Sequence, residues 1–396
     1  MEESKPMNTS SAVYRLPPPP GPRDRLFGLR LLQHIRRRPL EFFSIMARRY
    51  GDLSQVKIGP LRIALANHPE LIGQVLVSQA KKFRKAPRQV DGLRQVDGEG
   101  LVVSEGEFWL RQRRLVQPAF AASRLPQFAA AAVESAEELA NSWTDGQTIE
   151  AIPVFMRLAC RAFSQAMFHA ELDERRIAQV GEALRDLSEI ITEEIGSPLV
   201  LPDWAPLPAK RRKRRAIGLL DETIRGIIAR RRAGGEDQGD LLSMLLLAVD
   251  TEGDGSGMSD EQVRDEVMNM FNGGQDTTPT GLVGLAPRVA QHPEGDARSL
   301  EEVNRVAGNG PLGGEHLPQL KYTEQVVKEM LRLYPPTWIL FAREALEDLE
   351  LGGHYVRRGT WIYMLPFVTQ RDERFFPDPH KFDPERFSPE RIRSIP

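Results

Sequence analysis

The sequence predicts a mainly α-helical fold with small β-sheets. Apolar residues recur every three to four positions almost without a break from Leu125 to about Val249. A second long helical pattern starts at Ser259 and runs past Leu285. Extended segments with turn signals are confined to two short regions, one around Gly59-Pro60 and one between Trp338 and Leu365.

Composition narrows the function classes. The chain has 396 residues, with 53 basic against 55 acidic side chains and a net charge of -2. That balance excludes bulk attraction to nucleic acid. A hydrophobic fraction of 41% with 27% charged residues reads as a soluble globular protein. The single cysteine, Cys160, allows no intrachain disulfide and fits a reducing cytosol. Met1 to Ser11 is polar and lacks an apolar run of signal length. The longest apolar stretch, Leu241 to Val249, is broken by Ser243 and is shorter than the roughly 20 residues a bilayer needs. A cytoplasmic, soluble protein with no membrane anchor is expected.

Residues 1–22 read as a flexible, Pro-rich lead-in, and residues 23–396 as one domain. The run Pro17-Pro18-Pro19-Pro20-Gly21-Pro22 fits neither a helix nor a central strand and is extended. A helix is expected from Pro39 to Tyr50, ending at Gly51. Val56, Ile58, Ile63 and Leu65 flank the Gly59-Pro60 turn as a hairpin. His68-Pro69-Glu70 opens a further helix with Pro69 in its first turn. Ala86 to Gly100 is rich in glycine and charge and reads as a loop. Glu105 to Val116 is helical, and so are Phe128 to Ala140, Val154 to Phe168 and Ile177 to Ile191. The run Lys210-Arg211-Arg212-Lys213-Arg214-Arg215 reads as the solvated start of another helix. Ser259 starts the central helix, with Glu261 and Gln262 available for its first turn. Pro279 and Pro287 each remove a helix hydrogen bond and imply a kink or break. Leu317 to Leu333 is a helix, followed by extended segments at Trp338 to Phe341, Leu349 to Leu351 and Trp361 to Leu365. Phe375 to Pro396 reads as a tethered loop.

The chemistry concentrates in Phe271-Asn272-Gly273-Gly274-Gln275-Asp276-Thr277-Thr278. A mid-helix glycine costs about 1 kcal/mol against alanine, so two in succession imply close approach of something to the backbone. Asp276 and Thr277 set an acid and an alcohol beside it, a pairing suited to moving protons. Trp109 and Arg113 are four apart and share one helix face. They are either a core tryptophan with a solvated arginine or two N–H donors for one anionic ligand. Glu329 and Arg332 share another face. Residues 250–261 place Asp250, Glu252, Asp254, Gly255 and Glu261 at calcium-loop spacing, which leaves a helical calcium-binding protein as a remote alternative. The seven histidines show no zinc spacing, and neither a Gly-x-Ser-x-Gly elbow nor a phosphate loop is present. The Gly308 to Gly313 match to a dinucleotide fingerprint contains Pro311 and follows a helical pattern, so it reads as a plain loop. Cys160 reads as a buried structural thiol.

Taken in order, these segments resemble the cytochrome P450 family. Glu329-Met330-Leu331-Arg332 is similar to that family's Glu-x-x-Arg motif, and Pro384-Glu385-Arg386-Phe387 to its Pro-Glu-Arg-Phe segment. Gly273 to Thr278 resembles the oxygen-binding groove of its central helix, with Gly273 where alanine is more usual. Trp109, Arg113 and Arg343 resemble the donors that hold the haem propionates. The resemblance implies haem b and a monooxygenase that inserts one atom of O2 into a hydrophobic small molecule such as a fatty acid or terpenoid. It implies Asp276 as proton relay, Thr277 as hydrogen-bonding partner of the bound oxygen, and a buried network of Glu329, Arg332 and Arg386. It also implies an electron-donor protein, a ferredoxin or flavin reductase; Arg111, Arg113 and Arg114 offer it a basic face, and a solvated helix face explains Arg111 and Arg114 equally well. The pocket would draw on Gln89 to Val103, the helices around Leu184 to Leu199, and Trp338 to Phe341.

One departure stands out. The family's axial cysteine follows the Pro-Glu-Arg-Phe segment, and this sequence ends at Pro396 before that loop. Cys160 is in the wrong half to replace it, so thiolate ligation is not possible within these residues and the electronic push it gives is missing. The expectation is a monooxygenase cut short before its ligand loop, with a non-catalytic remnant as the alternative.

Overall fold

The computed structural model describes residues 16–396 apart from 169–171, 198–199, 236, 254 and 309, with the side chains of 122, 174, 275 and 276 also outside it. Residues 1–15 of the lead-in, Leu199 of the expected pocket and Asp254 of the acidic loop therefore lie outside the described residues.

In chain order, helices α1 (Leu29–Arg37) and α2 (Pro39–Tyr50) precede the hairpin β1 (Leu53–Ile58) and β2 (Leu61–Ala66). Next come α3 (Pro69–Gly73), β3 (Phe83–Lys85) and α4 (Pro87–Asp97). A helical run follows: α5 (Gly106–Val116), α6 (Leu125–Asn141), α7 (Ala151–Phe168) and α8 (Glu174–Gly196). It continues as α9 (Pro208–Gly234), α10 (Leu241–Leu247), α11 (Asp260–Gln291), α12 (Pro293–Ala307) and α13 (Lys321–Leu333). Strands β4 (Arg343–Ala345), β5 (Leu349–Leu351), β6 (His354–Val356) and β7 (Trp361–Met364) and helix α14 (Pro366–Thr369) complete the set. The mainly α fold with small sheets is as expected.

The chain divides into two compact units. The sheet unit takes residues up to Gln89, Arg332–Lys381 and Pro389–Pro396. Its main sheet has the order β1-β2-β7-β4-β3. The Gly59-Pro60 turn joins Ile58 to Leu61 as paired neighbours, with Gly59 at φ 55, where glycine is favoured. β7 lies parallel to β2, pairing Trp361 with Ile63, while β4 runs antiparallel to both β7 and β3. β5 and β6 form a separate hairpin. The lead-in is docked here rather than loose from Pro17 onward. The Pro17 carbonyl accepts from Tyr355 N at 3.0 Å and that of Pro20 from Gln55 N at 2.8 Å.

The helical unit takes Val90–Leu331 and Phe382–Ser388. Its core gathers the apolar faces of α7 to α11, including Met167, Leu187, Leu220, Ile224, Leu242, Val263 and Val267. Phe271 on α11 is 1% exposed and sits between Phe163 and Phe168, with ring centroids at 4.7 and 5.6 Å. Ser259 and Gln262 close a reciprocal capping box at the start of α11: Ser259 N donates to Gln262 Oε1 and Gln262 N to Ser259 Oγ.

Four expectations are corrected. Ala86 to Gly100 is not a loop but helix α4 followed by a tight turn at Gly98, whose φ is 57. Of the kink or break expected at Pro279 and Pro287, the break is absent, and α11 runs on as one continuous helix. Leu317 to Leu333 divides into a 3-10 segment, Gly314–Gln319, and α13, because Pro318 belongs to the first and Leu320 separates them. The basic run at the start of α9 is not wholly solvated. Lys210 and Lys213 are buried and share Glu194 and Asp203, two carboxylates that draw them inward.

Candidate active site

The open strip on α11 is the most informative surface. Gly273 is exposed, and a Cβ built on it meets no atom within 4 Å. At Gly274 a Cβ would meet only the Phe163 ring, at an ordinary 3.4 Å. Packing among the described residues therefore gives no reason for Gly273 to lack a side chain. Thr277 is exposed one turn on, and its Oγ1 donates to the Gly273 carbonyl at 2.7 Å. That bond commits the hydroxyl proton and leaves the oxygen lone pairs to accept along the strip. Asp276 lies in the helix, but its side chain is outside the described residues.

On α5, Trp109 is half-buried and Arg113 exposed, with the guanidinium carbon 5.2 Å from the indole centroid. Arg113 has no ion pair among the described residues, so its donors are free for an anion while the indole fixes its plane. The flanking arginines are not a free basic face. Arg114 makes a bidentate pair with the buried Asp250 at 3.0 and 2.8 Å, and Arg111 donates to Ser256 Oγ at 2.7 Å and the Gly257 carbonyl at 3.0 Å. Hydrogen bonding to Asp250 raises the Arg114 pKa further and keeps it charged. Both side chains clamp the loop after α10. The same clamp overturns the calcium reading, since the Asp250 carboxylate is 2% exposed and already occupied by a guanidinium. No cluster of metal ligands occurs among the described residues.

The three charged residues expected to form one network are all buried and fall into two separate groups. In the helical unit, the fully buried Glu329 accepts from Asp383 N at 2.9 Å and lies 3.5 Å from Arg386 Nε. In the sheet unit, Arg332 is 1% exposed and donates to the carbonyls of Gln370, Pro379 and Lys381 at 2.8, 2.8 and 3.2 Å. Within each unit these bonds give the buried charges polar partners, which suits charges removed from water. Arg343, on β4, donates to the Phe341 carbonyl at 2.9 Å.

Sequence reading missed Asp97 and Asn272. Asn272, next to Gly273, donates its Nδ2 to both Asp97 oxygens at 3.2 and 3.4 Å. Burial pushes the Asp97 carboxyl up to about 7, against the lowering effects of Asn272 and Arg264. The turn after α4 is stitched to the same face of α11. Asp265 accepts from Glu99 N at 2.8 Å and Glu266 from Leu101 N at 3.2 Å. Asn269 turns its amide oxygen to the N–H groups of Val102 and Leu101 at 2.8 and 3.2 Å. Positions 265, 269 and 272 recur at helical spacing. A polar stripe opposite a glycine-rich turn was the available signal.

These residues fit part of a haem site. The free guanidinium on an indole suits a propionate, and the unfilled strip over Gly273 suits a flat group. No thiolate is offered to that strip. Cys160 is 1% exposed on α7 and its Sγ contacts the Ile177 carbonyl at 3.7 Å.

Comparison with known proteins agrees. The family model for cytochrome P450 matches residues 17–396. The chain is 36% identical over 359 residues to cyclooctat-9-en-7-ol 5-monooxygenase of Streptomyces melanosporofaciens, covering 91% of this chain and 77% of the relative. Identity to cyclooctatin synthase of the same organism is 33% over 372 residues, covering 93% and 80%. Pentalenene oxygenase of Streptomyces avermitilis shares 32% over 361 residues, covering 91% and 79%. With a match across nearly all described residues and these identities to monooxygenases, the chain is a haem-dependent monooxygenase of the cytochrome P450 family.

Proposed function

We propose that this monooxygenase hydroxylates a polycyclic, largely apolar terpenoid with haem b as its cofactor. The observation that carries the site is the empty strip over Gly273, flanked by Thr277, which no described protein atom fills. The relatives named for cyclooctat-9-en-7-ol and pentalenene support the substrate class. Haem b is what the resemblance to the family implies.

When bound, the haem supplies dioxygen activation, with one oxygen atom entering the substrate and the other leaving as water on uptake of two electrons and two protons. Arg113, backed by Trp109, would hold one propionate. Thr277, with its proton on the Gly273 carbonyl, presents lone pairs that accept a proton-bearing group. Asp276, one residue earlier, is the ionisable group assigned to deliver protons. With Arg111 and Arg114 consumed by the loop after α10 and Arg113 given to a propionate, the ferredoxin or flavin reductase that supplies electrons is assigned no docking residue on α5. Among the described residues no helix is long and apolar enough to cross a membrane, which suits a soluble electron donor.

The test is turnover of a bicyclic terpene under isotopically labelled dioxygen with an external reductase. One labelled oxygen in the product is expected, and Thr277→Ala should lower product per electron by about tenfold. Label arriving from water, or an unchanged yield in the variant, contradicts the reading.

A further inference from the structure

Asp97 is a buried carboxyl with an incomplete set of partners. It is 1% exposed, and the single Asn272 amide nitrogen serves both of its oxygens. An ionised carboxylate accepts about four hydrogen bonds, so most of its capacity is unmet. The charged groups that act on it come from α11. Arg264 is already divided between Asp221 and Asp265, and Asp265 repels it. Asp97 cannot drift, because Asp265, Glu266 and Asn269 hold the residues that follow it.

The consequence falls on Asn272. A primary amide has a donor end and an acceptor end. With Nδ2 turned to Asp97, Oδ1 faces away, and no described residue donates to it. Asn272 is half-buried and precedes the exposed Gly273 by one residue, one step around α11 from the open strip. We propose that Asn272 Oδ1 is a substrate-reading acceptor that takes an O–H from a hydroxyl on an otherwise apolar substrate, and that Asp97 is the positioning residue holding the amide in that sense. This rests on the terpenoid-oxygenase reading and narrows it to substrates that already carry an alcohol.

The pairing is directional. A ketone brings an acceptor to an acceptor and is disfavoured while Asp97 is ionised. Once protonated, Asp97 can donate to Asn272 Oδ1, which frees the amide to turn its N–H groups outward. Because burial raises the Asp97 pKa to about 7, discrimination of alcohol from ketone should grow as pH rises through neutrality.

The experiment is calorimetric titration of the haem-loaded chain with trans-decalin, trans-1-decalol and trans-1-decalone. At about pH 8.5 the alcohol should bind about tenfold more tightly than the hydrocarbon, the ketone should show no such gain, and the alcohol–ketone gap should shrink near pH 5.5. Asn272→Leu should abolish the preference for the alcohol. Asp97→Asn should remove the pH dependence of the gap. The inference is overturned if Asn272→Leu keeps the alcohol preference or if the wild-type gap is the same at both pH values. Binding of none of the three probes defeats the apolar-pocket reading, and this inference with it. Equal binding of all three defeats the inference alone.

Discussion

At the scale of single residues, the informative positions are those whose chemistry exceeds their packing needs. Asp97 makes a stability prediction. Its pKa in the fold is about 7, above the ordinary carboxylate range, because burial disfavours the charge. The stability gained by holding the proton is therefore full below about pH 4 and lost as pH rises through about 7. Asp97→Asn removes that loss. Its unfolding free energy relative to wild type should improve by on the order of 4 kcal/mol between about pH 4 and pH 8. Denaturant midpoints at the two pH values measure this, and parallel profiles would show that Asp97 does not titrate in this window. Trp109 and Arg113 were legible in the sequence because residues four apart share a helix face, and Thr277 because it follows Asp276 beside two mid-helix glycines. The pairs Asp97–Asn272 and Arg114–Asp250 were not, since no local periodicity links positions so far apart along the chain.

At the scale of elements, periodicity located α2, the β1–β2 hairpin, α5 and the central helix. It failed where a local rule met tertiary context. Glycine and charge near Gly98 and Gly100 read as a loop, but both glycines are explained by contact. A Cβ on Gly98 would lie 2.1 Å from Asp265, and one on Gly100 would lie 2.9 Å from the Asn269 side chain. The basic start of α9 read as solvated, but the carboxylates of Glu194 and Asp203 bury two of its lysines. The lead-in offers a test of the same logic. A Cβ on Gly21 would lie 1.7 Å from the Gln55 carbonyl oxygen, next to the Gln55 N to Pro20 O bond. Gly21→Ala should cost about 1–3 kcal/mol by overpacking and should expose the lead-in to protease. An unchanged thermal midpoint with an unchanged cleavage pattern would mean that the docked lead-in adds nothing to stability.

At the scale of the whole molecule, the fold class and the absence of a bulk charge signal could be read from composition and pattern. The division into a sheet unit and a helical unit could not, because it depends on β2 pairing with β7 across nearly three hundred positions of sequence. We propose that the strip over Gly273 is left open for a flat prosthetic group and not by loose packing. The two explanations predict different outcomes for one substitution. A Cβ at Gly273 meets nothing within 4 Å, so the first atom of a side chain there has room in the protein itself. The direct measurement is a hemin titration of Gly273→Phe beside wild type, with thermal unfolding of both as the control. We predict that wild type takes up hemin and that the variant unfolds at the wild-type temperature yet binds hemin at least about tenfold more weakly, the loss of roughly one or two kcal/mol of contact. Equal hemin affinity in the two proteins, or no uptake by wild type, would contradict the account.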